Sequence, residues 1–192
     1  MKKIAIFGDS IAYGLSDEER GGWVQRLNLY FLKKKNNIRI YNFSVSGDDT
    51  EELLNHFERE CEMSIPDKII FAIGINDSHY NSKTKKQNIP VTEFKSNLNN
   101  LLDIARKFTN DIVFLGLTPV DETKTKSVLW NRVVSYDNKK VKEYDSIIMK
   151  FAKKEKVIFI KLYNVLKKRD LFDGLHPNSF GHEKIFKLLK NI

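Results

Sequence analysis

The residues of this chain best suited to breaking and making bonds lie near its two ends. Ser10 follows an apolar run that stops at Gly8-Asp9, in "MKKIAIFGDSIAYG". Asp173 precedes His176 by three residues in "LFDGLHPNSFGHE". A serine hydroxyl is a weak nucleophile and needs an adjacent base. His176 can be that base, and Asp173 can hold the imidazole in the right tautomer. Pro177 lacks an N–H and disfavours helix at the residue before it. "DGLH" is therefore expected to form a turn that lets both side chains face one site. Acyl chemistry at Ser10 would also need donors for a tetrahedral oxyanion. The backbone N–H groups of Ser10 and Gly47 and the side-chain amide of Asn76 are the candidates. Glycine at position 47 would let the backbone approach a substrate closely, and Gly74 would do similar steric work before Asn76.

For these positions to meet, the fold must bring distant segments to one place. "KKIAIF" is a short apolar run ending at glycine, expected to be a buried strand. "GWVQRLNLYFLKKK" carries Trp23, Val24, Leu27 and Phe31 at helical spacing. "NIRIYNFSV" alternates and is β-branched, giving a second strand. "DTEELLNHFEREC" opens on an acid and Thr50 and continues with Leu53, Leu54, Phe57 and Cys61, which reads as a capped helix. "DKIIFAIG" is continuous and apolar, as a centrally buried parallel strand should be. "VTEFKSNLNNLLDIARKF" is expected to be a helix with Thr92 as its N-cap. "DIVFLGL" is a fourth strand, "SYDNKKVKEYDSIIMKFAKKE" a helix and "VIFIKL" a fifth strand. "NSFGHEKIFKLLKNI" closes the chain as a helix. Five alternations of strand and helix predict an α/β fold, a parallel sheet with helices on both faces.

In such sheets, sites form outside the carboxyl ends of the strands. Strand one ends in "GDSIAYG", strand two in "SVSGDDT" and strand three in "GINDS", while "LFDGLHPNSFGHE" follows strand five. All four should converge on one edge of the sheet. Each block alone is weak, but "FGDSIAYG", Gly47 in "SVSGDDT", "GIND" and "DGLHP" together resemble, in order and position, the four motif blocks of the GDSL family, also called SGNH hydrolases. The resemblance runs from Gly8 to Pro177. The first block has Ile11 where the family name has leucine, an apolar position that varies in size. The resemblance implies a three-layer α/β/α sandwich, flavodoxin-like, with a five-stranded parallel sheet. It implies hydrolysis of carboxylic esters or thioesters through an acyl-enzyme. By position, it makes Ser10 the nucleophile, His176 the base, Asp173 its orienter, and Ser10, Gly47 and Asn76 the oxyanion hole.

The remaining polar and aromatic residues divide more simply. Asp9 is expected to brace its loop. His79, after "NDS", and Trp130, in the segment after strand four, are candidate substrate-lining residues. Trp23 and Cys61 sit at core positions of their helices, His56 lies beside Phe57, and His182 is expected at the solvent edge of the last helix. "HPNSFGH" lacks carboxylate or thiolate partners at ligand spacing, so no metal site is expected, and the triad needs no organic cofactor. Two segments read as irregular, "DSHYNSKTKKQNIP" and "TPVDETKTKSVLWNRVVS". Both leave strand carboxyl ends, so both are expected to border the site. They are polar and lysine-bearing, with only Val128, Leu129 and Trp130 as an apolar patch. That favours short acyl or acetyl esters over long-chain lipids.

Composition narrows the classes further. A length of 192 residues suits one domain spanning 1–192, able to bury roughly 70% of its unfolded surface. The net charge of +8 comes mostly from lysines. They are spread through "FLKKKNN", "DNKKVKEYD" and "FAKKEK" and interleaved with acids. That pattern reads as a solvated surface, and no nucleic-acid partner is expected. A single cysteine rules out a disulfide within the chain. No apolar run approaches the ~18 residues of a membrane-spanning helix. "IAIF" also falls short of the roughly 7–15 apolar residues of a signal peptide, so a cytoplasmic location is expected. The competing reading is a non-catalytic ligand-binding or signalling module on the same sheet, with Asp9 as a phospho-acceptor or the loops holding FMN phosphate. That reading lacks a GxGxxG or GxxxxGK[ST] loop and has no use for Asp173-x-x-His176.

Overall fold

In chain order the elements are β1 (Lys2–Gly8), α1 (Ser10–Tyr13), α2 (Gly22–Lys33), β2 (Ile38–Asn42), α3 (Thr50–Ser64), β3 (Lys68–Ala72), β4 (Tyr80–Asn81) and α4 (Val91–Ala105). They continue with β5 (Ile112–Leu115), α5 (Glu122–Thr125), β6 (Val134–Ser135), α6 (Asn138–Glu155), β7 (Ile158–Ile160) and α7 (Ser179–Leu189). The computed structural model describes residues 1–35 and 37–192; Asn36, in the lysine-rich stretch "FLKKKNN", lies outside the described residues.

Five strands form a parallel sheet in the order β2-β1-β3-β5-β7. The chain steps from β1 outward to β2, then returns to the other side of β1 for β3. Strand order therefore reverses between β1 and β3, where a crevice opens at the carboxyl ends of the strands. Gly8 pairs with Ala72 at that edge, so the residues after β1 and β3 emerge side by side. Helix α2 packs with α7, while α3, α4 and α6 pack in a row. These are the helical layers on the two sides of the sheet.

The strands are apolar where helices cover them. Phe71 on β3 stacks on Phe114 of β5 at 4.8 Å between ring centroids, and Phe7 on β1 meets Phe57 of α3 edge-on at 4.6 Å. Each such buried ring stabilises the fold by roughly 1.5–3 kcal/mol. Trp23 and Cys61 are in this core, as their spacing implied. Among the described residues no helix is long and apolar enough to cross a membrane.

Four local expectations are corrected. Thr92 is not the N-cap of α4. Pro90 holds that place with φ −59° and ψ 148°, and its carbonyl accepts the first helical bond, from the Phe94 N–H at 2.8 Å. His182 is buried rather than at the solvent edge, because α7 presses it against α2. Its Nδ1 accepts the Trp23 N–H at 3.3 Å, its Nε2 lies 3.2 Å from the Leu15 carbonyl, and burial pushes its pKa down to about 4. The two segments read as irregular are joined by an antiparallel ribbon, β4 with β6. Helix α6 starts later than "SYDNKK" suggested. Ser135 belongs to β6, and Asp137 caps α6 through the Lys140 N–H.

Candidate active site

Asp9 follows β1 directly and caps α1, accepting the Ile11 N–H at 2.9 Å. That cap makes Ser10 the first residue of α1, where its own N–H has no acceptor within the helix. Ser10 Oγ lies 2.9 Å from His176 Nε2, and His176 Nδ1 lies 2.7 Å from Asp173 Oδ2. The other carboxylate oxygen of Asp173 accepts the backbone N–H groups of Leu175 at 3.0 Å and His176 at 2.9 Å. The turn expected from "DGLH" thus binds its own ends, and the Phe172 N–H to His176 carbonyl bond closes it. Partial burial opposes charge on Asp173. The bonds from the His176 side chain and backbone outweigh it, with the imidazole charge and Leu175 adding to them, and hold the pKa at about 2. An ionised carboxylate only accepts, so Nδ1 donates to it, and in the neutral imidazole the lone pair of Nε2 then faces Ser10.

The second half of the site comes from the loops after β2 and β3. Gly47 has φ +101°, and a Cβ placed there would meet nothing within 4 Å. Glycine is needed for this backbone conformation. Its N–H donates to no protein acceptor among the described residues. Gly74 differs from expectation: with φ +122° it faces Phe94, Ile148 and Leu117, so its role is on the core side. The Asn76 amide donates through Nδ2 to the Asp48 carbonyl at 2.8 Å and accepts through Oδ1 from the Tyr136 hydroxyl at 2.8 Å.

Beneath these loops lies a buried polar floor. Asp77 accepts the N–H and the hydroxyl of Thr50, and that hydroxyl accepts from Asn97 Nδ2 at 3.0 Å. Burial dominates at Asp77 and pushes its pKa up to about 7, and burial does the same at Asp9. His56 bridges Asp48 and Glu60, each at 2.8 Å. Burial disfavours its charge, but the two carboxylates outweigh it and raise its pKa.

Ser10, Gly47, Asn76, Asp173 and His176 all line one open cavity of about 390 Å³, together with Leu15, Ser46, Trp130, Tyr136 and Leu175. The Trp130 ring stands 5.3 Å from that of His176. His79 stands one layer back, its ring 5.4 Å from Tyr136 and its Nδ1 buried with no partner. Tyr136 is the site residue that sequence reasoning passed over. It sat inside a predicted helix, and no local pattern marks a tyrosine whose partner is 60 positions away. Among the described residues, no group of three or more His, Cys, Asp or Glu side chains is arranged to hold a metal ion.

Chemically, this arrangement can move a proton from a serine hydroxyl to a histidine and can receive a developing oxyanion. The chain matches the GDSL-like lipase/acylhydrolase family over residues 4–189 and belongs to it. It is a hydrolase acting on ester bonds. Among proteins it resembles is the human isoamyl acetate-hydrolyzing esterase 1 homolog, 24% identical over 97% of this chain and 79% of that protein. The lipase/acylhydrolase of Enterococcus faecalis superposes with a TM-score of 0.78 at 24% identity, covering 100% of this chain and 94% of that one. A catalytic mutant of the acetylxylan esterase Axe2 from Geobacillus stearothermophilus gives 0.78 at 17% identity, over 99% and 93%. At these identities the two solved structures speak for the fold alone.

Proposed function

We propose that the protein hydrolyses short-acyl or acetyl esters or thioesters through an acyl-enzyme on Ser10. The observation that carries this reading is the line from Ser10 Oγ to His176 Nε2 to Asp173, opening into the same cavity as Gly47 and Asn76. Ser10 Oγ attacks the substrate carbonyl carbon as its proton passes to Nε2. Asp173 holds the Nδ1–H and stabilises the imidazolium that forms. The carbonyl oxygen becomes an oxyanion, facing the N–H groups of Ser10 and Gly47 and the free N–H of the Asn76 amide. His176 then returns the proton to the leaving alcohol or thiol as the carbonyl re-forms. Water attacks the acyl-Ser10 by the reverse proton path and releases the acid.

The preference for a short acyl group rests on the cavity, about 390 Å³, in which polar groups sit among Leu15, Trp130, Tyr136 and Leu175 with no long apolar channel among its lining residues. The names of two similar proteins, an isoamyl acetate-hydrolyzing esterase homolog and an acetylxylan esterase, both denote acetyl esters. The test is turnover of 4-nitrophenyl esters of increasing acyl length by the parent and by Ser10→Ala. The expected result is highest kcat/KM at the shortest chains and a loss of at least about 10⁴-fold in kcat for Ser10→Ala at an unchanged melting temperature. Rates climbing steadily toward long acyl chains overturn the substrate class. A variant within a few-fold of the parent removes Ser10 as nucleophile.

A further inference from the structure

We propose that Tyr136 is a positioning residue for catalysis, its hydroxyl holding the Asn76 side-chain amide in the one orientation that presents an N–H to the oxyanion. This rests on the reading of Asn76 as an oxyanion donor. A side-chain amide has two nearly isosteric orientations, and its neighbours choose between them. On one side of Asn76 is the Asp48 carbonyl, which can only accept, so Nδ2 must face it. On the other side is the Tyr136 hydroxyl, 2.8 Å from Oδ1, which must then donate. Tyr136 is suited to be a permanent donor. Burial, with the carboxylates of Asp9 and Asp173 nearby, pushes its pKa upward, so the phenol stays protonated. With one amide hydrogen spent on Asp48 and the oxygen spent on Tyr136, the second amide hydrogen remains for a ligand in the cavity that both side chains line.

The two segments that the sequence left irregular supply the brace. The Tyr136 N–H donates to the Thr125 carbonyl at 2.9 Å, and the Thr125 hydroxyl donates back to the Tyr136 carbonyl at 2.9 Å. Ser135 pairs with Tyr80 in the β4–β6 ribbon, and the Ser82 N–H donates to the Val133 carbonyl at 2.7 Å. His79, from the segment that follows Asn76, packs its ring against the tyrosine. The ribbon thus ties the loop carrying Asn76 to the residue that orients its side chain, and Tyr136 reaches the substrate's charge only through that amide.

The experiment is a double-mutant cycle of Tyr136→Phe and Asn76→Ala, read as kcat and KM on 4-nitrophenyl acetate, with melting temperatures as the folding control. Phenylalanine keeps the cavity wall and removes only the donor. Expected for Tyr136→Phe is a three- to tenfold fall in kcat, roughly the worth of one neutral hydrogen bond, with KM within about twofold. Asn76→Ala is expected to cost about 10²-fold in kcat. In that background Tyr136→Phe should cost less than about twofold, because the two act as a unit. A full independent loss in the Asn76→Ala background overturns the proposal, as does a single Tyr136→Phe variant within twofold of the parent or one that raises KM alone. If Asn76→Ala itself leaves kcat within twofold of the parent, the oxyanion reading falls and this inference falls with it. If Asn76→Ala is impaired and Tyr136→Phe is not, only this inference falls.

Discussion

The two halves of the candidate site are built by opposite means. The half carrying Ser10, His176 and Asp173 is braced mainly by near neighbours in sequence. Asp9 caps α1 through Ile11, and Asp173 receives the N–H groups of Leu175 and His176. The links of this half to distant sequence are fewer: Ser10 meets His176, and the Gly174 carbonyl accepts the Asp121 N–H at 2.8 Å. The half carrying Gly47 and Asn76 is braced by distant partners. Asn76 meets Asp48 and Tyr136, and Asp77 meets Thr50, which in turn meets Asn97. A turn held by its own residues forms wherever the chain is locally correct. A floor of buried, mutually bonded polar groups forms only when several loops are already in place, and each unmet partner there costs roughly 1–3 kcal/mol. The candidate base and its orienting carboxylate are thus held together locally, while the candidate oxyanion cradle depends on several loops at the sheet edge.

Substitutions can break or sharpen that contrast. After Ser10→Ala, the largest effect on the local half is expected from Asp173→Asn. Asparagine keeps an oxygen for the two backbone N–H groups, so the turn survives, but an amide donor placed against Nδ1 selects the wrong tautomer. A fall in kcat of about 10⁴-fold with little change in melting temperature is expected. A comparable loss of stability would show that the turn is not self-sufficient.

On the distant half, the telling variable is stability against pH. Asp77 is pushed by burial up to about 7 in the fold, from an ordinary 3.8. A carboxyl whose pKa rises on folding supports the fold when protonated. Its contribution is therefore complete below about pH 4 and lost as pH climbs toward 7. Asp9 and His56, also raised, act in the same direction. Asp173, held at about 2, loses its contribution only as pH falls below about 4, outside this window. His182, pushed by burial down to about 4, works the other way below about pH 6.5. The melting temperature should therefore fall as pH rises from about 6.5 to 8, and Asp77→Asn should remove a loss of stability that totals up to a few kcal/mol between about pH 4 and 7. An identical slope in the variant would remove Asp77 as a source of the dependence.

The same contrast explains what could be read in advance. Periodicity located all five sheet strands and the five long helices, because each repeats its pattern over many residues. Ser10, Asp173 and His176 were legible because each sits at a strand end or in a turn with its punctuating glycine or proline beside it. Tyr136, the β4–β6 ribbon and the burial of His182 were not. A two-residue strand is too short to show alternation, and a buried tyrosine, histidine or aspartate is identified by partners that only the fold brings near. Thr92 looked like a cap by residue type, but the proline two positions earlier set the helix entry.

The central claim is that Ser10 is an activated nucleophile. The most direct measurement is labelling of the folded protein with a serine-reactive fluorophosphonate, followed by peptide mapping, in the parent and in His176→Ala. A single adduct on Ser10, lost in the variant, is the expected result. A folded parent that takes no label, or carries it on another residue, would contradict the claim.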